Sequence, residues 1–340
     1  MATLLDSQVG VGRESPWKTP VTVSKFHQPN ASGGMRWDAG IQQATPIRVG
    51  SIGDRADREW TAGAKATGGF EYDLTSKGFG VPLESAWGTA TSTLVSGTTF
   101  QQVFTPGRTG TTRPSSTIQQ ATVRTDGSVD AYTYAGCTVD SFEIDLPTNG
   151  KVTLKLNYVG YALATATALA TASFPAAESL FEFDQAVLQY GGTLTAPTTT
   201  ALASMAGGTT ATEFLSFNLA CNSNLNERPS MAAGNWNQPL FGKFDATVKA
   251  AAEYQNSTWR DAYLNRTSNA MLLTLTTSEA LSSGFATMQI ALPIVRPLTP
   301  MGPDLANGDV PQFDFEGKVF DDVANARMAF MVLRTSDSAL

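Results

Sequence analysis

His27 is the one histidine in 340 residues, which removes Ser-His-Asp and Cys-His nucleophilic arrangements and most imidazole metal sites. It reads as a surface histidine. Asp304, Asp309, Asp314, Asp321 and Asp322 are the most suggestive carboxylates, and hard cations want several such oxygens. Their spacing fits no calcium loop and sets up no pair for acid-base work, so a solvated acidic face is expected. Trp37, Trp60, Trp236 and Trp259 could stack bases, but single-strand grooves also need basic neighbours. Only Arg48, Arg55 and Arg58 cluster, and Asp54, Asp57 and Glu59 interleave with them. That segment reads as a solvated loop or, preferably, an inter-subunit loop. Gly10-Val11-Gly12 and Gly78-Phe79-Gly80 are incomplete beside phosphate-cradling fingerprints and read as turns. Cys137 and Cys221 lack C-x-x-C spacing, and two buried, reduced thiols are expected. No catalytic, cofactor-binding or metal-binding residue emerges, and the expectation is a protein that is not an enzyme.

The bulk composition points the same way. Hydrophobic residues at 42% and charged residues at 16% describe a globular chain with a rather neutral surface. Thr suits pleated surfaces, and 30 Gly with 17 Pro punctuate short strands. A mostly β protein follows. Lys plus Arg number 23 against 30 Asp plus Glu, a net charge of -7. No basic face offers phosphate neutralisation, although like charge suits a wall that DNA must slide past. Met1 to Asp6 has neither a positive start nor an apolar core, so a protein made and kept in a cytoplasm is expected. The apolar stretch 158–174 is broken by Thr and is shorter than the roughly 20 residues that span a bilayer.

The elements that must position these residues are mainly strands. Val152, Leu154, Leu156 and Tyr158 alternate with Lys151, Thr153, Lys155 and Asn157, the period of a strand with one buried face. Pro147-Thr148-Asn149-Gly150 joins that run to Phe142-Ile144-Leu146 as a hairpin turn. Similar alternations start at Phe70, Leu215, Phe244 and Met288. Two short helices are expected, over 80–88, with Leu83, Ala86 and Trp87 on one face, and over 256–264, with a Ser or Thr cap before Trp259, Ala262 and Tyr263. Phe70 and Phe244 lie 174 apart, Leu83 and Trp87 lie 176 from Trp259 and Tyr263, and Val152, Leu154 and Leu156 lie 176 from Met328, Phe330 and Val332. Each half then reads strand, loop, strand, helix and four more strands, the last two a hairpin. Two tandem domains, 1–165 and 166–340, are expected, with a linker at 162–173 and a flexible loop at 191–212. Residues 222–238 form a long extended loop whose place in the first half is taken by 48–63, and such loops usually serve a partner.

At this point the order of elements resembles the tail tube proteins of long-tailed bacteriophages. Gly10-Val11-Gly12-Arg13-Glu14-Ser15-Pro16-Trp17-Lys18-Thr19-Pro20-Val21-Thr22 resembles the family's entry motif G-x-G-x-E-x-x-x-G-T-x-V-T, with Lys18 where Gly is usual. Gly69 to Leu74, Gly78 to Gly88 and Thr98 to Pro106 are similar to its next strands and helix. Tyr134-Ala135-Gly136-Cys137-Thr138-Val139-Asp140-Ser141-Phe142 resembles its Y-x-G-C-x-V-x-S segment. The second half is similar in layout more than in wording, with Gly242-Lys243-Phe244 to Tyr254 and the Trp259 helix. The resemblance implies tube-like β-sandwich or barrel domains, each with one short helix, joined edge to edge into rings that stack into a hollow tube. It also implies assembly around a tape-measure protein, contact with tail-tip and head-completion proteins, and passage of DNA without specific binding. Two domains per chain make a trimer with pseudo-sixfold symmetry the expected ring, ahead of a hexamer. A tail terminator, a decoration protein, a β-rich adhesin or carbohydrate-binding module, and a hydrolase with an unrecognised site are the other readings.

Overall fold

A computed structural model describes residues 7–50, 52–107, 112–231, 236–299, 310–322, 327–338 and 340, apart from the side chains of 31 and 32. In chain order the first half carries β1 (Gln8–Arg13), β2 (Lys25–His27), β3 (Pro29–Asp38), β4 (Ile41–Gln43), β5 (Glu59–Thr61), β6 (Lys65–Asp73), α1 (Gly80–Trp87), β7 (Gly88–Ser96), β8 (Thr99–Pro106), β9 (Ser116–Val123), β10 (Val129–Leu146), β11 (Thr153–Gly160) and β12 (Ala162–Ala164). The second half carries β13 (Ala186–Tyr190), β14 (Thr193–Thr195), β15 (Ser204–Ala206), β16 (Thr209–Thr210), β17 (Phe217–Asn222), β18 (Asn226–Pro229), β19 (Trp236–Leu240), β20 (Asp245–Glu253), α2 (Thr258–Leu264), β21 (Asn269–Ala280), β22 (Phe285–Pro297), β23 (Gln312–Val319) and β24 (Phe330–Thr335). The chain is mainly β.

All of the ladders are antiparallel. One path runs β3–β6–β11–β10–β17–β20–β23–β22–β21–β13. From β22 a branch passes through β24 to β8 and β7, and from β10 another passes through β9 to β1 and β2. Followed pair by pair, no path among the described strands returns to its start, so the barrel form of the expectation is replaced by open, branched sheets. The cause is β10, which changes sheets. Its first part pairs with β9 and its last part with β17, and register shifts at Tyr134/Cys137 and Val139/Ser141 bend it between the two. Gly136 supplies a φ of 68° at that bend.

A repeated order is visible in the pairing. The series β3–β6–β11–β10–β9, with β4 and β5 between its first two strands and α1 after β6, recurs as β17–β20–β23–β22–β21, with β18 and β19 and then α2 in the same places. The hairpin of β7 and β8 is extra to the first series. One set of matched residues is corrected by the pairing. Val152 to Leu156 runs into β11, which pairs with β6, whereas Phe330 and Val332 lie in β24, which pairs with β22 and β8. The strand that takes the place of β11 is β23, which pairs with β20 and carries Phe313 and Phe315. Nor do β23 and β24 form a hairpin; each lies against β22. Inserting β24 between the two halves satisfies the edges of both β8 and β22, which explains the departure.

One large core extends across the series. Phe244, just ahead of β20, packs on Trp87 and Phe142 of the first half at centroid separations of 6.2 Å each. α1 ends where sequence predicts, at Gly88 with φ 101°, whose N–H donates to the Glu84 carbonyl. Its one-faced burial is not observed. All eight of its residues are buried, because β1, β7, β8 and β10 surround it. α2 is the surface counterpart, burying Trp259 and Ala262 but not Tyr263. Ser257 is its N-cap residue, with its carbonyl accepting from the Asp261 N–H at 2.8 Å, while the side-chain bond there comes from Asn256, whose Oδ1 accepts from the Thr258 N–H at 3.0 Å.

Residues 191–212, expected to be a flexible loop, carry the β14–β15 hairpin. Ala203 is buried against Leu272, Ala291 and Phe330, and its backbone N–H and carbonyl meet Gln289. The segment thus covers the outer face of β21, β22 and β24. A single 3-10 turn, Phe183–Gln185, precedes β13.

Candidate assembly interface

The structure does not bring the candidate chemical residues together. His27 is buried, not on the surface, in a cage where Tyr72 and Phe79 lie 5.3 Å and 4.9 Å from its ring. Burial, and then the Lys25 charge, lower its pKa from 6.5 to about 4. The imidazole therefore stays neutral in the fold while the unfolded chain protonates below pH 6.5, so stability present above that pH is lost as pH falls toward 4. At ~1.4 kcal/mol per pH unit the loss is about 3 kcal/mol. We expect His27→Phe to flatten the urea midpoint between pH 6.5 and 4, measured against wild type.

Asp304 and Asp309 lie outside the described residues. Asp314 is exposed on β23, and among the described residues no group of three acids, histidines or cysteines converges on a common point. Trp259 is core, Trp37 packs beside the core, Trp236 sits 5.3 Å from the Tyr161 ring, and Trp60 is half exposed. Arg55 pairs with Asp57 within the loop, and Arg48 and Arg58 are exposed. Cys137 and Cys221 are free and buried, and burial pushes both thiols well above their usual range.

Glu14 and Arg113 are buried charged groups that join distant segments. Glu14 accepts from the Ser115 hydroxyl at 2.7 Å, the Thr117 hydroxyl at 2.9 Å, the Gly136 N–H at 2.9 Å and the Lys18 N–H at 3.0 Å. It thereby ties the entry motif to the Tyr134–Phe142 motif, a link that only the resemblance of both segments hinted at. Arg113 is buried under the Phe241 ring at 4.7 Å and donates to the Val139 carbonyl and, at 2.9 Å, to the Ser223 hydroxyl. Burial lowers its pKa to about 10, still charged at neutral pH. Lys18, where the resembled motif has glycine, has φ 61°. Left-handed backbone costs an L-residue roughly 1–2 kcal/mol. Lys18→Gly is expected to raise stability by about 1 kcal/mol, read as a higher urea midpoint.

What the structure does gather are surfaces suited to contact with other chains. A first arm, 39–64, projects between β3 and β6 with β4 paired to β5 at its base. Ile47, Val49 and Ile52 on it are 103%, 102% and 109% exposed. A second arm, 223–244, holds the β18–β19 hairpin, and Met231 on it is 105% exposed. The arms are fastened at their roots. Lys65 pairs with Glu227 at 2.8 Å, and the Trp236 indole donates to the Ala64 carbonyl at 2.9 Å. Four fully exposed large apolar side chains on two arms from one end of the molecule are a liability unless a partner covers them.

A sheet edge is the second such surface. β7 pairs with β8 alone, and Gly88-Thr89-Ala90-Thr91-Ser92-Thr93-Leu94-Val95-Ser96 contains no charge and no proline. Edges exposed in monomers are normally blunted by Lys, Pro or short length. At the far end of the same sheet, β13 pairs with β21 on one side, and on the other Gln189 and Tyr190 meet β16 and the Leu188 carbonyl accepts from the Ala211 N–H at 2.8 Å, leaving Val187 half exposed.

A family model described as phage tail tube protein matches residues 5–319. None of the curated proteins compared matches the chain.

Proposed function

We propose how this chain, which belongs to the phage tail tube protein family, assembles: three copies close a ring with pseudo-sixfold symmetry, and rings stack around the path of the DNA. Membership makes it a structural virion protein of a phage tail that self-assembles into a tube. The observation that carries the finer reading is the repeated strand order, β3 to β11 and β17 to β23, each series with its own arm and helix. Two such units at 1–165 and 166–340 give six lobes from three molecules.

Closing a ring of identical copies requires two unlike edges that fit each other. The sheet running β7–β8–β24–β22–β21–β13 supplies them, one at β7 and one at β13. A net charge of -7 on each chain opposes adhesion of the DNA that passes through. The tube encloses a tape-measure protein during assembly and meets tail-tip and head-completion proteins at its ends. In this reading the chain performs no catalysis. Cryo-microscopy of assembled tubes should count three chains in each ring. Six chains would defeat the duplication argument while leaving the tube standing.

A further inference from the structure

The end of the molecule opposite the arms carries a groove with apolar side chains on one part of its wall and polar ones, among them Gln28, Thr75 and Lys77, on the rest. β3 and β6 run antiparallel, with Asp38 opposite Lys65 where the first arm leaves and Pro29 opposite Tyr72 at the other end. Nine residues of β6 separate the two ends, roughly 30 Å at ~3.3 Å each. Beyond the Tyr72 end, Phe26, Phe79, Phe174, Pro175 and Leu180 line a cavity of about 310 Å³. Phe174 and Leu180 are 44% and 37% exposed, although the core lies next to them. Leu180 also borders a neighbouring hollow under the Asn149-Gly150 turn. Asp73, Glu178, Glu182 and Asp184 edge the two hollows against two lysines, Lys77 and Lys151, which pair with Glu279 and Asp73, so the rim keeps an acidic excess.

We propose that Ile47, Val49 and Ile52 of one copy seat in this end groove of a second copy in the next ring. Three features of the chain support the match. The arm tip carries fully exposed Ile47, Val49 and Ile52, and the groove carries the incompletely covered Phe174 and Leu180. Arg48 stands between Ile47 and Val49, and would meet the acidic rim as the apolar residues enter. The two surfaces lie at opposite ends of β3 and β6, so the contact is heterologous and head-to-tail. Such a contact cannot be satisfied within one molecule and propagates as an open stack, which is how a tube lengthens.

The inference rests on the tube reading, and the test separates the two. Val49→Cys and Leu180→Cys are placed together in one chain, whose native Cys137 and Cys221 are buried. Treating assembled tubes with a short bismaleimide should give a ladder of covalent multimers on denaturing gels, while the unassembled chain stays monomeric. A second chain, with Ile47, Val49 and Ile52 all changed to Ser, should form single rings and at least tenfold fewer tubes. Tubes that give no ladder, or normal tubes from the triple variant, overturn the arm-to-groove contact and leave the tube reading intact. A wild-type chain that forms neither rings nor tubes overturns both.

Discussion

Glu14→Ala is expected to destabilise the fold by about 4 kcal/mol, lowering the melting temperature by on the order of 10 °C. The carboxylate is buried and accepts from two hydroxyls and two backbone N–H groups on three separate segments. Hydrogen bonds to a charged acceptor contribute roughly 1.5–3 kcal/mol each, and deleting the acceptor strands the donors in the interior. The loss should not be confined to the entry segment. Gly136 sits at the bend by which β10 changes sheets, with φ 68°, and its N–H is held by Glu14. Without that anchor the bend loses its partner, and the first part of β10 with β9 and β1 should loosen together. Glu14→Gln keeps one acceptor oxygen but turns an NH₂ toward donors, so an intermediate loss is expected. Thermal melts of both variants check the order. A Glu14→Ala protein melting within 2 °C of wild type, against the order of 10 °C expected here, would remove the hub.

This hub shows where sequence reasoning reached and where it stopped. The pieces were legible: Gly10 and Gly12, Glu14, the usual glycine at Lys18, and Gly136 all fall within the two motif segments. The physical reasons were not, because they join residues about 120 positions apart, as Gly136 and Glu14 are. Gly10 tolerates no side chain since a Cβ would sit 2.6 Å from Val23. The hairpin at Pro147 to Gly150 was readable because its information is local, and Asn149 takes φ 54° as such a turn demands. His27 was misread for the opposite reason. Its burial comes from Tyr72 and Phe79, about 50 residues away, and three residues of strand announce nothing. A signal for the 191–212 cover did exist. Met271-Leu272-Leu273 and Ile290-Ala291-Leu292 are continuous apolar runs, which mark strands buried on both faces rather than one. Something had to cover Leu272 and Ala291, and the Thr- and Gly-rich hairpin does so with Ala203.

Ser92→Pro is expected to leave the monomer folded and to abolish ring closure. The outcome depends on which backbone groups of β7 face outward. The Gly107 N–H donates to the Trp87 carbonyl at 2.9 Å, and Pro106, which has no N–H, lies opposite Gly88. Residues 87, 89, 91 and 93 therefore direct their backbone groups toward β8, and 88, 90, 92 and 94 direct theirs away from it. Proline at 92 removes an N–H that no strand within the monomer uses, and proline is tolerated on an edge for that reason. A second copy pairing along β7 would meet a missing donor and a ring in place of a hydrogen, in the middle of the ladder. Gln102, opposite Ser92, is buried and fixed, so the strand cannot slide to evade the change. Thr91→Pro, one residue away, strikes the inward side and should cost the monomer about 3 kcal/mol by breaking the ladder to β8. The pair of variants thus splits folding from assembly along a single strand. Circular dichroism should report a native Ser92→Pro chain and a destabilised Thr91→Pro chain, and size-exclusion chromatography should find the first as a monomer. Rings of normal mass from Ser92→Pro would place the ring contact at an edge other than β7.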